Sequence, residues 1–238
     1  MAVILHIETS SKLCSVALSR EGNVLFSKMS DDGPSHAVLL GRFVDEALSY
    51  AESESLRPDA VAVSSGPGSY TGLRIGVSLA KGVAYGMGIR LIFVPTLRVL
   101  AQALEGQTPA GALLCPMLDA RRMEVYTALY NSQLQEVAPV RALVVEAGSF
   151  DSVPADTPLY IFGDGAAKCR EVLAHPCLNY VDGLVPRADL MVEAAEAAFE
   201  AGQFQDVAYS EPFYLKEFQA TVPQKLEKII HRENQSRQ

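Results

Sequence analysis

The chain has 238 residues, 49% hydrophobic and 20% charged, the balance of a globular protein long enough for one large domain or two small ones around a sizeable core. Its formal net charge of −8 opposes a phosphate backbone, which is bound mainly through Lys and Arg, so a free-standing nucleic-acid binder is not expected. No apolar run approaches the roughly 20 residues of a membrane helix. The opening Met1-Ala2-Val3-Ile4-Leu5-His6 has no basic leader, so a cytoplasmic protein without a membrane partner is the expectation.

In chain order, residues 3–8 form an apolar run ending at Glu8, residues 13–19 alternate, and a turn at Arg20-Glu21-Gly22-Asn23 leads to residues 24–29. These read as three strands joined by hairpins. A helix is predicted from about His36 to Ala51, with Ser35 as N-cap. A buried strand at 60–64 follows, then a glycine-rich loop, a helix to about Tyr85, a strand at 90–94 and a short helix at 96–104. Residues 105–111, Glu-Gly-Gln-Thr-Pro-Ala-Gly, read as a linker.

The plan then restarts. Strands are expected at 113–118 and 124–130, with a further strand after the turn Asn131-Ser132-Gln133. Another strand lies at 159–162, a helix begins near Ala166, and a last helix spans 188–200. Glu8 overlays Asp119 and Ala17-Leu18 overlays Ala128-Leu129 at the same offset, although one sequence also permits chance alignment. The expected division is an N-terminal lobe, 1–104, a smaller and less complete C-terminal lobe, 112–217, and a polar tail, 218–238. Cys14, Cys115, Cys169 and Cys177 form no C-x-x-C pair, so buried reduced thiols are expected.

Between strand and helix stands Ser65-Gly66-Pro67-Gly68-Ser69-Tyr70-Thr71-Gly72-Leu73-Arg74. Glycines that permit close backbone approach, followed by a helix N-terminus, make Gly66, Gly68, Ser69, Thr71 and Gly72 a candidate anion or nucleotide contact. The spacing fits neither a Walker loop nor G-x-G-x-x-G, and a tight structural turn explains it as well.

The string itself resembles the G-P-G-S-[FY]-T-G-L-R signature of the TsaB (YeaZ) family. Ile7-Glu8-Thr9-Ser10, Ser35-His36, Asp119-Ala120-Arg121-Arg122-Met123-Glu124-Val125-Tyr126, Gly163-Asp164-Gly165-Ala166 and Pro212-Phe213-Tyr214-Leu215-Lys216 resemble further motifs of that family in the right order. Glu8 departs from its pattern, which has Asp. The resemblance implies an α/β protein of the actin-like ATPase (ASKHA) superfamily, with two ribonuclease-H-like lobes facing a cleft. It implies a non-catalytic subunit that organises the TsaD enzyme, with the TsaE ATPase, for N6-threonylcarbamoyladenosine (t6A) modification of tRNA. The complex would use ATP and Mg, this subunit would bind no cofactor alone, and tRNA would be held mainly by the complex. A homodimer is implied for the chain by itself.

Catalysis by the chain is not expected. The catalytic cousin's H-x-x-x-H helix is absent: of His6, His36, His175 and His231 no two lie within five positions, and Leu40 stands where a second ligand after His36 would be. No G-x-S-x-G elbow is present. Glu8 and Asp119 could act as an acid–base pair, but hydrogen bonding to their own hairpin loops is the favoured reading. The alternatives carried forward are an independent hydrolase or peptidase and an actin-like small-molecule kinase.

Gly72, Gly76, Ala80 and Ala84 recur every four residues along the second helix, and Leu39 and Phe43 form an apolar stripe on the first. Internal glycines cost a helix about 1 kcal/mol each relative to Ala, so another backbone is expected to press close. With the family's habit of pairing through these helices, the candidate interface is His36, Leu39, Leu40, Phe43, Gly72, Arg74, Gly76, Ala80 and Ala84. Gly76→Leu is expected to abolish pairing and leave a folded monomer. The alternative is a helix covered on both sides by its own domain.

Overall fold

The strand Val3–Glu8 (β1) alternates Val3, Leu5 and Ile7 toward one face with Ile4, His6 and Glu8 toward the other, and every one of them is buried. Such a strand must lie in the middle of a sheet covered on both sides. In the computed structural model, which describes residues 2–31 and 36–216 with the side chains of His36 and Ala37 excepted, it does. Cys14–Arg20 (β2) and Asn23–Ser30 (β3) continue it antiparallel on one side, while Ala60–Gly66 (β4) and Arg90–Pro95 (β5) add parallel on the other, giving the order β3-β2-β1-β4-β5.

Two long helices cover one face of this sheet. His36–Ser53 (α1) sends down Leu40, Phe43, Val44, Ala47 and Ala51, and Tyr70–Met87 (α2) sends down Val77, Ala80 and Ala84. The N-cap Ser35 proposed for α1 lies outside the described residues. The ends of α2 follow from local chemistry. The Ser69 hydroxyl accepts the Gly72 N–H at 3.3 Å. Gly88, with φ of +64°, adopts the left-handed turn that closes the helix.

The second half repeats the plan. Leu113–Asp119 (β6), Glu124–Asn131 (β7), Glu136–Val144 (β8), Leu159–Phe162 (β9) and Leu178–Val181 (β10) form a sheet ordered β8-β7-β6-β9-β10, with the same parallel and antiparallel pairings as the first. The expected duplication is therefore present in the topology. The sheet is complete; the helical layer is what is lost. The helix predicted from Ala166 is a single 3-10 turn, Ala167–Cys169. Side chains from loops, among them Val145, Phe150, Val153 and Leu173, cover that face instead.

The lobes exchange helices. Thr96–Gln102 (α3), from the first half, presses Leu97, Leu100 and Ala101 against Leu114, Leu118, Tyr130 and Phe162 of the second sheet, and turns Val99 back toward the first. Val192–Glu200 (α4), from the second half, lies with Met191 and Ala195 under Ile4, Ala60, Ala62, Ile92 and Val94 of the first sheet. The division at 104 and 112 needs this correction: residues 188–200 pack with the N-terminal lobe because its sheet has a second apolar face to bury. The tail 218–238 lies outside the described residues.

Candidate functional site: the cleft between the lobes

Each lobe contributes the same two loops to a cleft of about 550 Å³. From the first lobe come the β1–β2 hairpin loop (Ser10, Ser11, Lys12) and the loop between β4 and α2 with the start of that helix (Pro67 to Thr71). From the second come the β6–β7 hairpin loop (Asp119, Ala120, Arg121) and Asp164 after β9. Glycines sit at matching points: Gly66 at the end of β4 has φ of +112° and Gly163 just after β9 has φ of +104°. Both approach backbone too closely for a side chain. A Cβ would lie 2.5 Å from the Phe213 carbonyl oxygen at Gly66 and 2.3 Å from the Met117 carbonyl oxygen at Gly163.

The carboxylate ending the first strand of each lobe holds its own hairpin loop. Glu8 Oε1 accepts the Ser10 N–H at 2.6 Å, and Asp119 Oδ1 accepts the Arg121 N–H at 3.0 Å. Beyond that the two differ. Glu8 is fully buried and its Oε2 has no hydrogen-bond partner; burial raises its pKa. Asp119 is open to the cleft and takes the Lys168 ammonium as a second partner. Beside it, burial and the neighbouring Asp119 charge raise the Asp164 carboxyl, whose Oδ1 accepts the Asp119 N–H at 3.0 Å. Glu8 and Asp119 thus perform the loop-holding role favoured from sequence, and only Asp119 lines the cleft.

Of the candidate anion residues, Gly68, Ser69 and Thr71 line the cleft, while Gly66 and Gly72 are buried beneath it. The Ser69 N–H is taken by the Ser10 carbonyl at 2.7 Å and its hydroxyl by the cap of α2. Much of this loop is therefore engaged in joining the hairpin to the helix. The closing motif also enters the site: Phe213, Tyr214, Leu215 and Lys216 cross the cleft mouth.

The candidate interface needs correction. Gly72, Gly76, Ala80 and Ala84 face inward, and Leu40 and Phe43 are core residues. The backbone that presses on the bare face of α2 is the chain's own. A Cβ at Gly72 would lie 2.0 Å from the Thr9 carbonyl oxygen, and one at Gly76 would lie 2.2 Å from Thr9 Oγ1, which donates to the Gly72 carbonyl at 2.8 Å. Gly76→Leu would drive a side chain into this hairpin, so it cannot serve as a silent interface variant. Of the rest, Leu39 is half-buried, Arg74 is exposed and hydrogen-bonds the Tyr70 hydroxyl at 3.1 Å, and the His36 side chain is outside those described. The alternative reading, a helix face covered by its own domain, is the one realised.

His6 Nε2 pairs with the Ser19 hydroxyl at 2.7 Å, and burial lowers its pKa to about 3. All four cysteines are free thiols, and burial pushes Cys115 up to about 12. Among the described residues no three His, Cys, Asp or Glu side chains gather as metal ligands, and no helix is long and apolar enough to cross a membrane.

Residues 32–224 match the family model described as TsaD, tRNA N6-adenosine threonylcarbamoyltransferase. The chain is 37% identical over 173 residues to the tRNA threonylcarbamoyladenosine biosynthesis protein TsaB of Bacillus subtilis, covering 71% of this chain and 74% of that one. It is 30% identical over 223 residues to the TsaB protein of Escherichia coli, covering 90% and 94%. The solved structure of YeaZ from Pseudomonas aeruginosa superimposes with a TM-score of 0.77 at 26% identity, over 90% of this chain and 100% of that one. With the sequence motifs, the twice-used sheet and these matches along nearly its whole length, the chain belongs to the TsaB (YeaZ) family.

Proposed function

We propose that this chain is the non-catalytic subunit that binds and organises a TsaD enzyme, together with the TsaE ATPase, for t6A modification of tRNA in the cytoplasm. The complex consumes Mg-ATP and holds the tRNA. The observation that carries the non-catalytic part is the condition of the cleft. The two carboxylates that could have formed an acid–base pair each hold their own loop, and one of them is sealed from solvent. General acid–base catalysis needs both groups within reach of the substrate.

The partner surface in this reading is the outer side of α1 and α2. Val38 is 77% exposed and Tyr85 84% exposed, and Leu39, Ile75 and Leu79 are half-buried. Gly41 on α1 and Gly82 and Gly86 on α2 have nothing within 4 Å of an added Cβ. Exposed aromatic and aliphatic side chains beside bare helix backbone suit a tightly packed helix–helix interface. A homodimer through the same face is the resting form of the chain alone.

Reconstitution tests the reading. The purified chain is mixed with its own organism's TsaD and TsaE, tRNA and the threonylcarbamoyl-adenylate intermediate, and modified adenosine is measured with each protein omitted in turn. Product is expected to fall to background without this chain, and Val38→Glu/Tyr85→Ala is expected to fail both in co-purifying TsaD and in restoring product. Full product without the chain would overturn the proposal, and proteolysis by the chain alone would favour the hydrolase alternative.

A further inference from the structure

The last described residues make contacts that neither lobe's core requires. After α4 the chain returns along α2, where the Lys81 ammonium donates to the carbonyls of Ala208 and Ser210 at 3.1 and 2.8 Å. It then crosses the mouth of the cleft. The Phe213 N–H donates to the Ser65 carbonyl at 2.7 Å, at the end of β4. The Tyr214 ring lies on the Tyr70 ring with centroids 4.8 Å apart, and the Arg74 guanidinium lies over the same Tyr70 ring at 5.5 Å. The Lys216 ammonium reaches the Glu124 carboxylate at 2.5 Å, and Glu124 opens β7 in the other lobe.

This segment is anchored to one lobe at Ser65 and Tyr70 and to the other at Glu124, and four of its residues line the space between them. Its attachments are superficial. Phe213 is 48% exposed, and the Lys216 and Glu124 side chains are 43% and 20% exposed. An exposed ion pair, one aromatic contact and one backbone hydrogen bond contribute little each. Elements of this kind open at much lower free energy than a core strand. Gly66 is kept bare at the crossing, where a Cβ would strike the Phe213 carbonyl; the β4 loop is thus shaped to seat the segment.

We propose that residues 211–216 form a releasable lock across the cleft. Seated, the segment fixes the second lobe's hairpin against the N-terminal end of α2. Released, it lets that hairpin move away and the cleft widen, while both sheets and the exchanged helices stay intact. The lock rests on these contacts alone and holds whatever partner the chain serves.

Hydrogen exchange on the full chain tests it, comparing the wild type with Tyr214→Ala/Lys216→Glu. The expected result is roughly tenfold faster exchange of amides at 68–71 and 120–126, with the central strands β1, β4 and β6 unchanged. Tyr214→Ala alone, which leaves the ion pair in place, should give a smaller acceleration at the same amides. Small-angle scattering of the double variant should show a larger radius of gyration. Unchanged exchange at 120–126 would overturn the lock. So would uniform acceleration through β1, β4 and β6, because the segment would then be holding the fold rather than the lobe arrangement.

Discussion

Glu8 and His6 leave β1 on the same face, and burial acts on them in opposite senses. His6 is held neutral, with its pKa lowered from 6.5 to about 3. An unfolded chain takes up this proton below pH 6.5, so the stability that His6 contributes is present above 6.5 and is lost as pH falls from there toward 3. Glu8 is raised above 4.5, so its buried charge costs stability as pH rises above 4.5, up to the folded-state value. Glu8→Gln keeps an acceptor for the Ser10 N–H and removes the charge. The variant should be more stable than wild type at pH 7.5, with the gain shrinking to nothing below about pH 4.5; urea unfolding across that range measures it. A variant less stable at pH 7.5, with the loss vanishing below about pH 4.5, would mean that the charge itself holds the hairpin. The carboxylate was legible in the sequence as a hairpin-loop residue. Its complete burial was not, because that depends on Ser64 and the α2 loop closing over it from far along the chain.

At the scale of elements, the small-residue period of α2 was legible, and so was the inference that a backbone lies against it. Whose backbone was not legible: spacing along a helix records that a face is bare, and tertiary packing decides what covers it. Thr9, some sixty residues away, does so. The predicted helix at 166 failed for a related reason. Ala166, Cys169 and Leu173 have helical spacing and are all buried, yet one 3-10 turn places them. The strand at 178–181 is too short, between Pro176 and Gly183, to carry a period. Gly41, Gly82 and Gly86, which have open space and no positive φ, remain unexplained by the chain itself. In a free helix Gly82→Ala should raise stability by about 0.5–1 kcal/mol. If a partner helix packs on that side, the same substitution should weaken TsaD co-purification even as thermal unfolding moves upward. Stabilisation with undiminished pairing would place the partner surface elsewhere.

The whole molecule is a duplicated sheet whose halves are not independent. Duplication could be suspected from the Glu8 and Asp119 overlay, but the exchange of α3 and α4 could not, because amphipathic periodicity gives a helix an apolar face without naming its sheet. The exchange has an energetic consequence. Without residues 188–200 the first sheet presents Ile4, Ala60, Ala62, Ile92 and Val94 to water, and without the second sheet α3 and the turn after it present Leu97, Leu100 and Leu104. Each large aliphatic side chain left bare forfeits about 1.5–3 kcal/mol. The six large ones together exceed much of the roughly 5–15 kcal/mol by which a typical domain is stable. A fragment ending at residue 111 should therefore bind a hydrophobic dye, aggregate and lack a cooperative thermal transition, although it holds one complete sheet and both long helices. Extending it with a short linker and residues 185–203 should restore part of the transition, since α4 returns to its face while α3 stays uncovered. The intact chain should unfold in a single step by fluorescence and circular dichroism alike. Two separated transitions would mean that the helix exchange does not couple the lobes.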